Sequence, residues 1–249
     1  MVGMDRWKGK VALVTGASSG IGRVTAVMLA KEGMKVAIAA RRADRLNELK
    51  KELEAGGAKV LVIPTDLQKE ADIHNMWKTV RKEWGGVDVL INNAGLGWGG
   101  ALVKRTDTEF RQMLEVNVLA VTICIREAIL DMSNRPEGYI INITSMGAHY
   151  VRPGNKNVFY AGTKHAVRAI TEGVRSELVE RQSPIKIGQV SPGTVATEIQ
   201  EVGSRGRTNA AARAGTPLEA DDIADIIKFM LSAHPRVQIH DVLVRPSSG

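Results

Sequence analysis

A single cysteine, Cys124, is all the chain contains. An internal disulfide is therefore impossible, and a cysteine-based zinc site is excluded. A reducing, cytoplasmic setting is the simplest expectation. No apolar run approaches the roughly 18 to 20 residues of a membrane span. The opening "MVGMDRWKGKVALVTG" carries charges where a secretory signal needs an apolar core. No stretch rich in Pro, Gly and Ser separates two halves, and no internal repeat or low-complexity tract is visible. The histidines, His149 and His165 among them, lack metal-ligand spacing, so no metal site is expected. Dense basic tracts are also missing. The net charge of +7 comes from 34 basic and 27 acidic residues, but the two signs are interleaved ("KKELEAGGAK", "RKEWGG"). That pattern points to solvated faces plus one small anionic ligand rather than to a nucleic-acid surface.

What is present is a regular alternation. Short apolar runs stand at 10–16, 35–40, 59–66, 87–95, 138–145, 185–193 and 241–246. Helical patterns lie between them, at 21–33, 43–57, 70–84, 106–132, 160–181 and 217–232. Near-continuous apolar strands imply burial on both faces, the mark of a parallel sheet. Strand and helix in strict alternation imply right-handed βαβ units. The expectation is an α/β fold: one Rossmann-type doubly wound domain over 1–249, with about seven parallel strands and helices on both faces. "TDTE" at Thr106 and "TPLE" at Thr216 each read as a capping box, and Pro217 suits a first helical position. The stretch 198–216 has no apolar periodicity and is expected to be a mobile loop over a substrate.

Gly16, Gly20 and Gly22 fall between the first strand and the first helix. Glycines in that context permit a tight turn and let backbone N–H groups approach a pyrophosphate at a helix N-terminus. Ser18 and Ser19 add hydroxyls. The second strand ends without the acidic residue that would bind ribose hydroxyls and repel a 2′-phosphate. Ala40 stands there, followed by Arg41 and Arg42, whose guanidinium forks suit phosphate. Arg41 is taken as the main phosphate ligand, and NADP(H) as the cofactor. Asp66, at the end of "VLVIPTD", could accept a hydrogen bond from the adenine amine or cap a helix.

Tyr160 and Lys164 stand one helical turn apart on one face. A phenol titrates near ~10, and a neighbouring cation favours its ionised form. With "TGASSGIG" (15–22), "NNAG" (92–95), Asn117 in "EVNV", Ser145 in "NITS", "YAGTK" (160–164) and "PGTVAT" (192–197) in this order, the chain resembles the short-chain dehydrogenase/reductase family from about Trp7 to Pro246. More finely, "VNVLAVTICIREAI", "GYIINITSMGAHYV" and "HPRVQIHDVLVRP" resemble the branch of dehydrogenase/reductase member 11-type 17-β-hydroxysteroid dehydrogenases and insect farnesol dehydrogenases.

The resemblance implies an alcohol–carbonyl oxidoreductase. It makes Tyr160 the general acid/base, Lys164 its cationic neighbour and ribose ligand, and Ser145 the donor to the carbonyl oxygen. Asn117 becomes a helix break in a proton relay. It also assigns Ile21, Leu67, Asn93, Ala94, Gly95, Pro192, Gly193, Val195 and Thr197 to the cofactor. Ile199 and Val202 are expected on one side of the substrate, with Tyr150, Val151 and Phe159 opposite. A lipophilic substrate (a steroid, an isoprenoid alcohol such as farnesol, or a dicarbonyl) and a homodimer or homotetramer complete the expectation. The rival enzyme is a 3-oxoacyl carrier-protein reductase, and the rival of another class is a dinucleotide-binding regulatory protein without turnover.

Overall fold

Each apolar run is a strand in the computed structural model, which describes residues 3–151, 157–198 and 216–247. The strands are β1 (Val11–Thr15), β2 (Lys35–Ala40), β3 (Val60–Pro64), β4 (Val89–Asn92), β5 (Gly138–Ile143), β6 (Ile185–Pro192) and β7 (Asp241–Val244). They form one sheet in the order β3-β2-β1-β4-β5-β6-β7, and every pairing is parallel. The helices are α1 (Gly20–Lys31), α2 (Ala43–Ala55), α3 (Glu70–Trp84), α4 (Asp107–Leu114), α5 (Ala120–Met132), α6 (Val158–Glu180) and α7 (Ala220–Ser232).

Alternate residues of each strand feed opposite faces. On β1, Ala12 and Val14 join Leu29 of α1, Leu46 and Leu49 of α2 and Ile227 of α7. Val11 and Leu13 join Trp77 of α3, Cys124 of α5 and Val167 of α6. A fully buried Leu or Ile contributes about 1.5–3 kcal/mol, against up to about 1 kcal/mol for an exposed ion pair. These two clusters therefore hold the sheet. The strand order reverses at β1, with β2 on one side and β4 on the other. Such a switch point opens a crevice beyond the carboxyl ends of the strands.

A buried polar chain sets α6 against the sheet. Asn92 Nδ2 donates to Asn142 Oδ1 at 2.9 Å, Asn142 Nδ2 to Thr171 Oγ1 at 2.8 Å, and Thr171 Oγ1 to Val167 O at 2.7 Å. Each group has a partner, so the chain specifies position without leaving a desolvated polar atom behind.

The helix ends give one agreement and one correction. At Thr106 the capping box is present: Glu109 N donates to Thr106 Oγ1 at 3.2 Å, and Thr106 N to Glu109 Oε2 at 2.9 Å. The box expected at Thr216 is absent, and Pro217 is not the first helical residue. Helix α7 begins at Ala220, with Asp222 Oδ2 accepting the Glu219 N–H at 2.8 Å. The cause is long-range. Leu218 N donates to Thr194 O at 3.0 Å and Leu218 O accepts from Ala196 N at 2.8 Å. This β-bridge to Val195 commits the Leu218 backbone to an extended state. The loop expected over 198–216 lies, apart from Glu198 and Thr216, outside the described residues.

Candidate active site

The glycine loop turns at Gly16 (φ 68°) and Gly20 (φ 52°), backbone states that side chains with a Cβ resist. Gly22 is required for a different reason. A Cβ there would lie 2.4 Å from Asn93 Nδ2 and 2.5 Å from Gly16 O. Helix α1 therefore starts in direct contact with the loop that precedes it. Asn93 locks this arrangement: its Nδ2 donates to Thr15 O at 3.0 Å and Gly16 O at 3.3 Å. Thr15 Oγ1 in turn accepts the N–H groups of Asn93 and Ala94, both at 3.1 Å. The "NNAG" turn, which continues through Gly95, thus fastens β4 to the cradle. The supporting role of Thr15 was not read from the sequence. Ser19, the residue before α1, makes no side-chain capping bond. The helix presents its first N–H groups and Ile21 at the crevice, where an anion is favoured.

Of the two arginines after β2, it is Arg42 that turns inward. Its Nε and Nη2 donate to Ser18 Oγ at 3.1 and 2.9 Å, and Nη2 donates to Ser19 Oγ at 2.7 Å. Arg41 is exposed. On β3's far side, Asp66 Oδ1 accepts the Gln68 N–H at 3.2 Å. This side-chain turn leads into α3, with Asp66 and Leu67 both partly buried.

Beyond the other end of the crevice lie the catalytic candidates. Ser145 ends the extended run of β5, and its Oγ accepts the Gly147 N–H at 3.0 Å. Thr144 points away: its Oγ1 reaches Val190 O at 3.0 Å and Ser191 Oγ at 2.8 Å. Tyr160 lies in the first turn of α6, with its ring edge against Gly97. Burial pushes its phenol up to about 12, against the pull of a hydrogen bond with Ser145. Lys164, one turn on, is 4% exposed. Its Nζ donates to Ile143 O at 2.9 Å and lies 5.7 Å from the Tyr160 ring centroid. Burial lowers that ammonium to about 8.

The helix break at Asn117 takes the form of a π-turn over Glu115–Leu119 between α4 and α5. Asn117 Oδ1 accepts the Leu96 N–H, and its Nδ2 donates to Leu96 O, both at 2.8 Å. The same Nδ2 reaches Thr163 Oγ1 at 3.1 Å, and Thr163 Oγ1 donates to Tyr160 O at 2.7 Å. Asn117 is thus tied to the Tyr160 turn through Thr163, a link not visible in the sequence. Opposite, Gly193 N donates to Val244 O at 2.7 Å. This holds Pro192 and the Gly193–Thr197 segment beside the crevice, and a Cβ on Gly20 would lie 3.1 Å from Thr197 Cγ2.

Residues 10–207 match the short chain dehydrogenase family. The chain belongs to that family. It is 40% identical over 255 residues to dehydrogenase/reductase SDR family member 11 of Mus musculus, covering 98% of this chain and 97% of the relative. It is equally 40% identical over 246 residues to the farnesol dehydrogenase of Aedes aegypti, covering 98% of both. Among solved structures, an alcohol dehydrogenase of the archaeon Thermococcus sibiricus, complexed with 5-hydroxy-NADP, superposes with a TM-score of 0.85. That alignment has 28% identity and covers 97% of this chain and 98% of the other.

Of the residues expected to meet the substrate of this short-chain dehydrogenase, Phe159 packs on Phe110 with ring centroids 4.5 Å apart. The Tyr150 ring lies beneath the Arg245 guanidinium, 5.2 Å away, and Val151 is exposed. Phe110 and Arg245 were not singled out in the sequence. Ile199 and Val202 lie outside the described residues. A Ser–His–Asp cluster adjoins the site, yet it is not built for acyl transfer. One ring nitrogen, His149 Nε2, faces both Ser191 Oγ at 3.0 Å and Asp241 Oδ2 at 3.1 Å. A triad uses the two nitrogens separately, and Ser191 is fully buried. In this dehydrogenase the cluster ties the turn after Ser145 to β6 and β7. Cys124 is buried, which pushes its thiol up to about 12 and leaves it unreactive. No group of three or more His, Cys, Asp or Glu fit for a metal occurs among the described residues.

Proposed function

We propose that the chain is an NADP(H)-dependent oxidoreductase that interconverts an alcohol and a ketone or aldehyde. The observation that carries this reading is a convergence at the carboxyl ends of the strands. An arginine- and serine-lined cradle at the glycine loop lies along the same crevice as Ser145, Tyr160 and Lys164. The residues fit a 2′-phosphorylated dinucleotide. Gly22 lets α1 close directly onto the loop at Gly16, since a Cβ there would meet Gly16 O and Asn93 Nδ2. This sets the helix N-terminus, which favours a pyrophosphate, and Arg42 with Ser18 offers charged and neutral donors to a phosphate.

When bound, the dinucleotide supplies or accepts the hydride. The remaining work belongs to the chain. Ser145 donates to the substrate oxygen as charge develops on it. Tyr160 gives up its proton in reduction and takes one in oxidation. Lys164 holds the ribose hydroxyls and supplies the positive charge that favours the phenolate. Asn117 holds the Tyr160 turn in place. We assign the Phe110–Phe159 pair and the exposed Val151 to an apolar substrate wall, which favours a lipophilic substrate such as a steroid, an isoprenoid alcohol or a dicarbonyl. The farnesol dehydrogenase relative is consistent with that class. The test is NADPH and NADH oxidation against a panel of steroids, isoprenoid aldehydes, diketones and acyl thioesters. Turnover confined to the acyl thioesters would establish the carrier-protein reductase instead, and no turnover with any compound would leave a binding protein.

Arg42→Ala is expected to weaken NADP binding by about 1.5–3 kcal/mol, the worth of a charge-assisted hydrogen bond, with NAD affinity nearly unchanged. Arg41→Ala should do far less, since its side chain is exposed. Titrating both cofactors against both variants checks the assignment, and an equal loss at the two positions would undo it.

We further propose a cytoplasmic dimer or tetramer. Leu114, Leu119 and Leu130 on the α4–α5 segment and Val158 and Val179 on α6 are exposed, and a two-fold axis that pairs these helices would cover them. Sedimentation at micromolar concentration should give at least a dimer. A monomer would count against the pairing.

A further inference from the structure

Glu198 directly follows Thr197 at the end of the turn beside the crevice. Its carboxylate spans two guanidiniums. Oε2 accepts from Arg42 Nη1 at 2.7 Å, and Oε1 accepts from Arg45 Nη1 at 2.5 Å. The same Arg42 holds Ser18 and Ser19 through its other nitrogens. Three distant pieces of chain therefore meet at Arg42: the glycine loop, the start of α2 and the segment after β6. Beside them opens a cavity of about 310 Å³, lined by Ser18, Ser19, Arg23, Arg45 and Glu198 among others. Two guanidiniums share the single Glu198 carboxylate, while Arg23 is paired with Glu52 and Glu48 also lines the cavity. Hydrogen bonds from Arg42 first, and then from Arg45, hold the Glu198 carboxyl down to about 2. It is ionised throughout the range of any binding assay.

We propose that Glu198 is a resident anion in the phosphate cradle, which a 2′-phosphate must displace from Arg42 and Arg45 in order to bind. The inference rests on the NADP reading given above and adds two residues to it. Arg45 becomes a second phosphate ligand, and Glu198 becomes the residue that sets how strongly 2′-phosphorylated nucleotides are preferred. A phosphate carries about −1.5 to −2 charges and three acceptor oxygens near neutral pH. It can therefore outcompete a single carboxylate for two arginine forks. A plain ribose hydroxyl cannot, so a ligand without the phosphate leaves Glu198 where it is. The competition falls on one class of nucleotide only.

The test uses 2′,5′-ADP and 5′-AMP, which report on the adenosine end without turnover. Dissociation constants are measured by calorimetry at fixed ionic strength, because salt screens such contacts. Glu198→Gln keeps the side chain's size and removes its charge. It should tighten 2′,5′-ADP by about five- to thirtyfold, in the range of a 1–2 kcal/mol change, and move 5′-AMP by less than about twofold. Glu198→Ala should act in the same direction. Adding Arg45→Ala to Glu198→Gln should reverse most of the gain. If the wild-type chain prefers 2′,5′-ADP but Glu198→Gln leaves its affinity unchanged or weaker, the resident-anion idea fails while the NADP reading stands. If neither chain prefers 2′,5′-ADP, both fail. If Arg45→Ala has no effect in the Glu198→Gln background, Arg45 is not a ligand and its part of the proposal is overturned.

Discussion

Tyr160→Phe is expected to turn over at least about 100-fold more slowly than the wild type, in the range that general acid–base catalysis supplies, with cofactor affinity unchanged. The substitution keeps the ring that fits against Gly97 and deletes only the hydroxyl bonded to Ser145. The protonation state gives the result a direction. With no ligand bound, burial holds the phenol near 12, so at neutral pH Tyr160 is an acid ready to donate. Carbonyl reduction can use that form directly. Alcohol oxidation needs the phenolate, and so needs the neighbouring ammonium to act on the ring. The wild type should therefore lose reduction and gain oxidation as pH rises toward the phenol's titration, while Tyr160→Phe shows neither limb. Steady-state kcat/KM in both directions across pH measures this. Activity within a few-fold of wild type would make Tyr160 a packing residue.

Lys164→Met should abolish turnover and, without cofactor, stabilise the fold. Lys164 is 4% exposed, and burial brings its ammonium down to about 8 from 10.5. Between those two pH values the unfolded chain holds more protons at this site than the folded one. Stability from this group therefore rises with pH through the window and is at its lowest below it. At 1.36 kcal/mol per pKa unit the penalty near pH 7 is about 3 kcal/mol. Removing the bond to Ile143 O gives back about 1 kcal/mol. Methionine fills the same slot with a flexible apolar stem, so a net gain of about 1–3 kcal/mol is expected at pH 7, shrinking as pH approaches 10. Urea melts of both chains at pH 7 and pH 9.5 would show it. A less stable variant at pH 7 would mean that the buried ammonium is better satisfied than its surroundings suggest.

The sequence carried those parts of the molecule whose cause is local. Seven apolar runs bounded by glycines and helical patterns are enough to read a parallel sheet, because both faces of the five inner strands are buried. The glycine loop and the Tyr160–Lys164 pair are equally local, each being a spacing within one turn or one helix. What could not be read depends on partners far along the chain. The start of α7 is displaced because Leu218 pairs with Thr194 and Ala196. Arg42 turns inward because Ser18 and Ser19 accept from it, while Arg41 stays exposed. Asn93 in "NNAG" is expected at the cofactor, and the motif does not announce that its Nδ2 also donates to Thr15 O and Gly16 O. Glu198 sits in a stretch without apolar pattern, and nothing near it in sequence announces two arginines.

The bridge between Val195 and Leu218 has an evolutionary consequence. It pins both ends of the intervening stretch to the same point of the frame, beside β6 and the first residues before α7. The entropy cost of closing a loop between two pinned ends grows slowly, by only roughly 0.6 kcal/mol for each doubling of its length. Past Glu198, length and composition between the two pins can therefore drift, or be exchanged for those of a relative, without moving the pins themselves. Val195 and Leu218 are therefore the natural splice points at which a lineage, or an experimenter, could exchange this stretch for that of a relative.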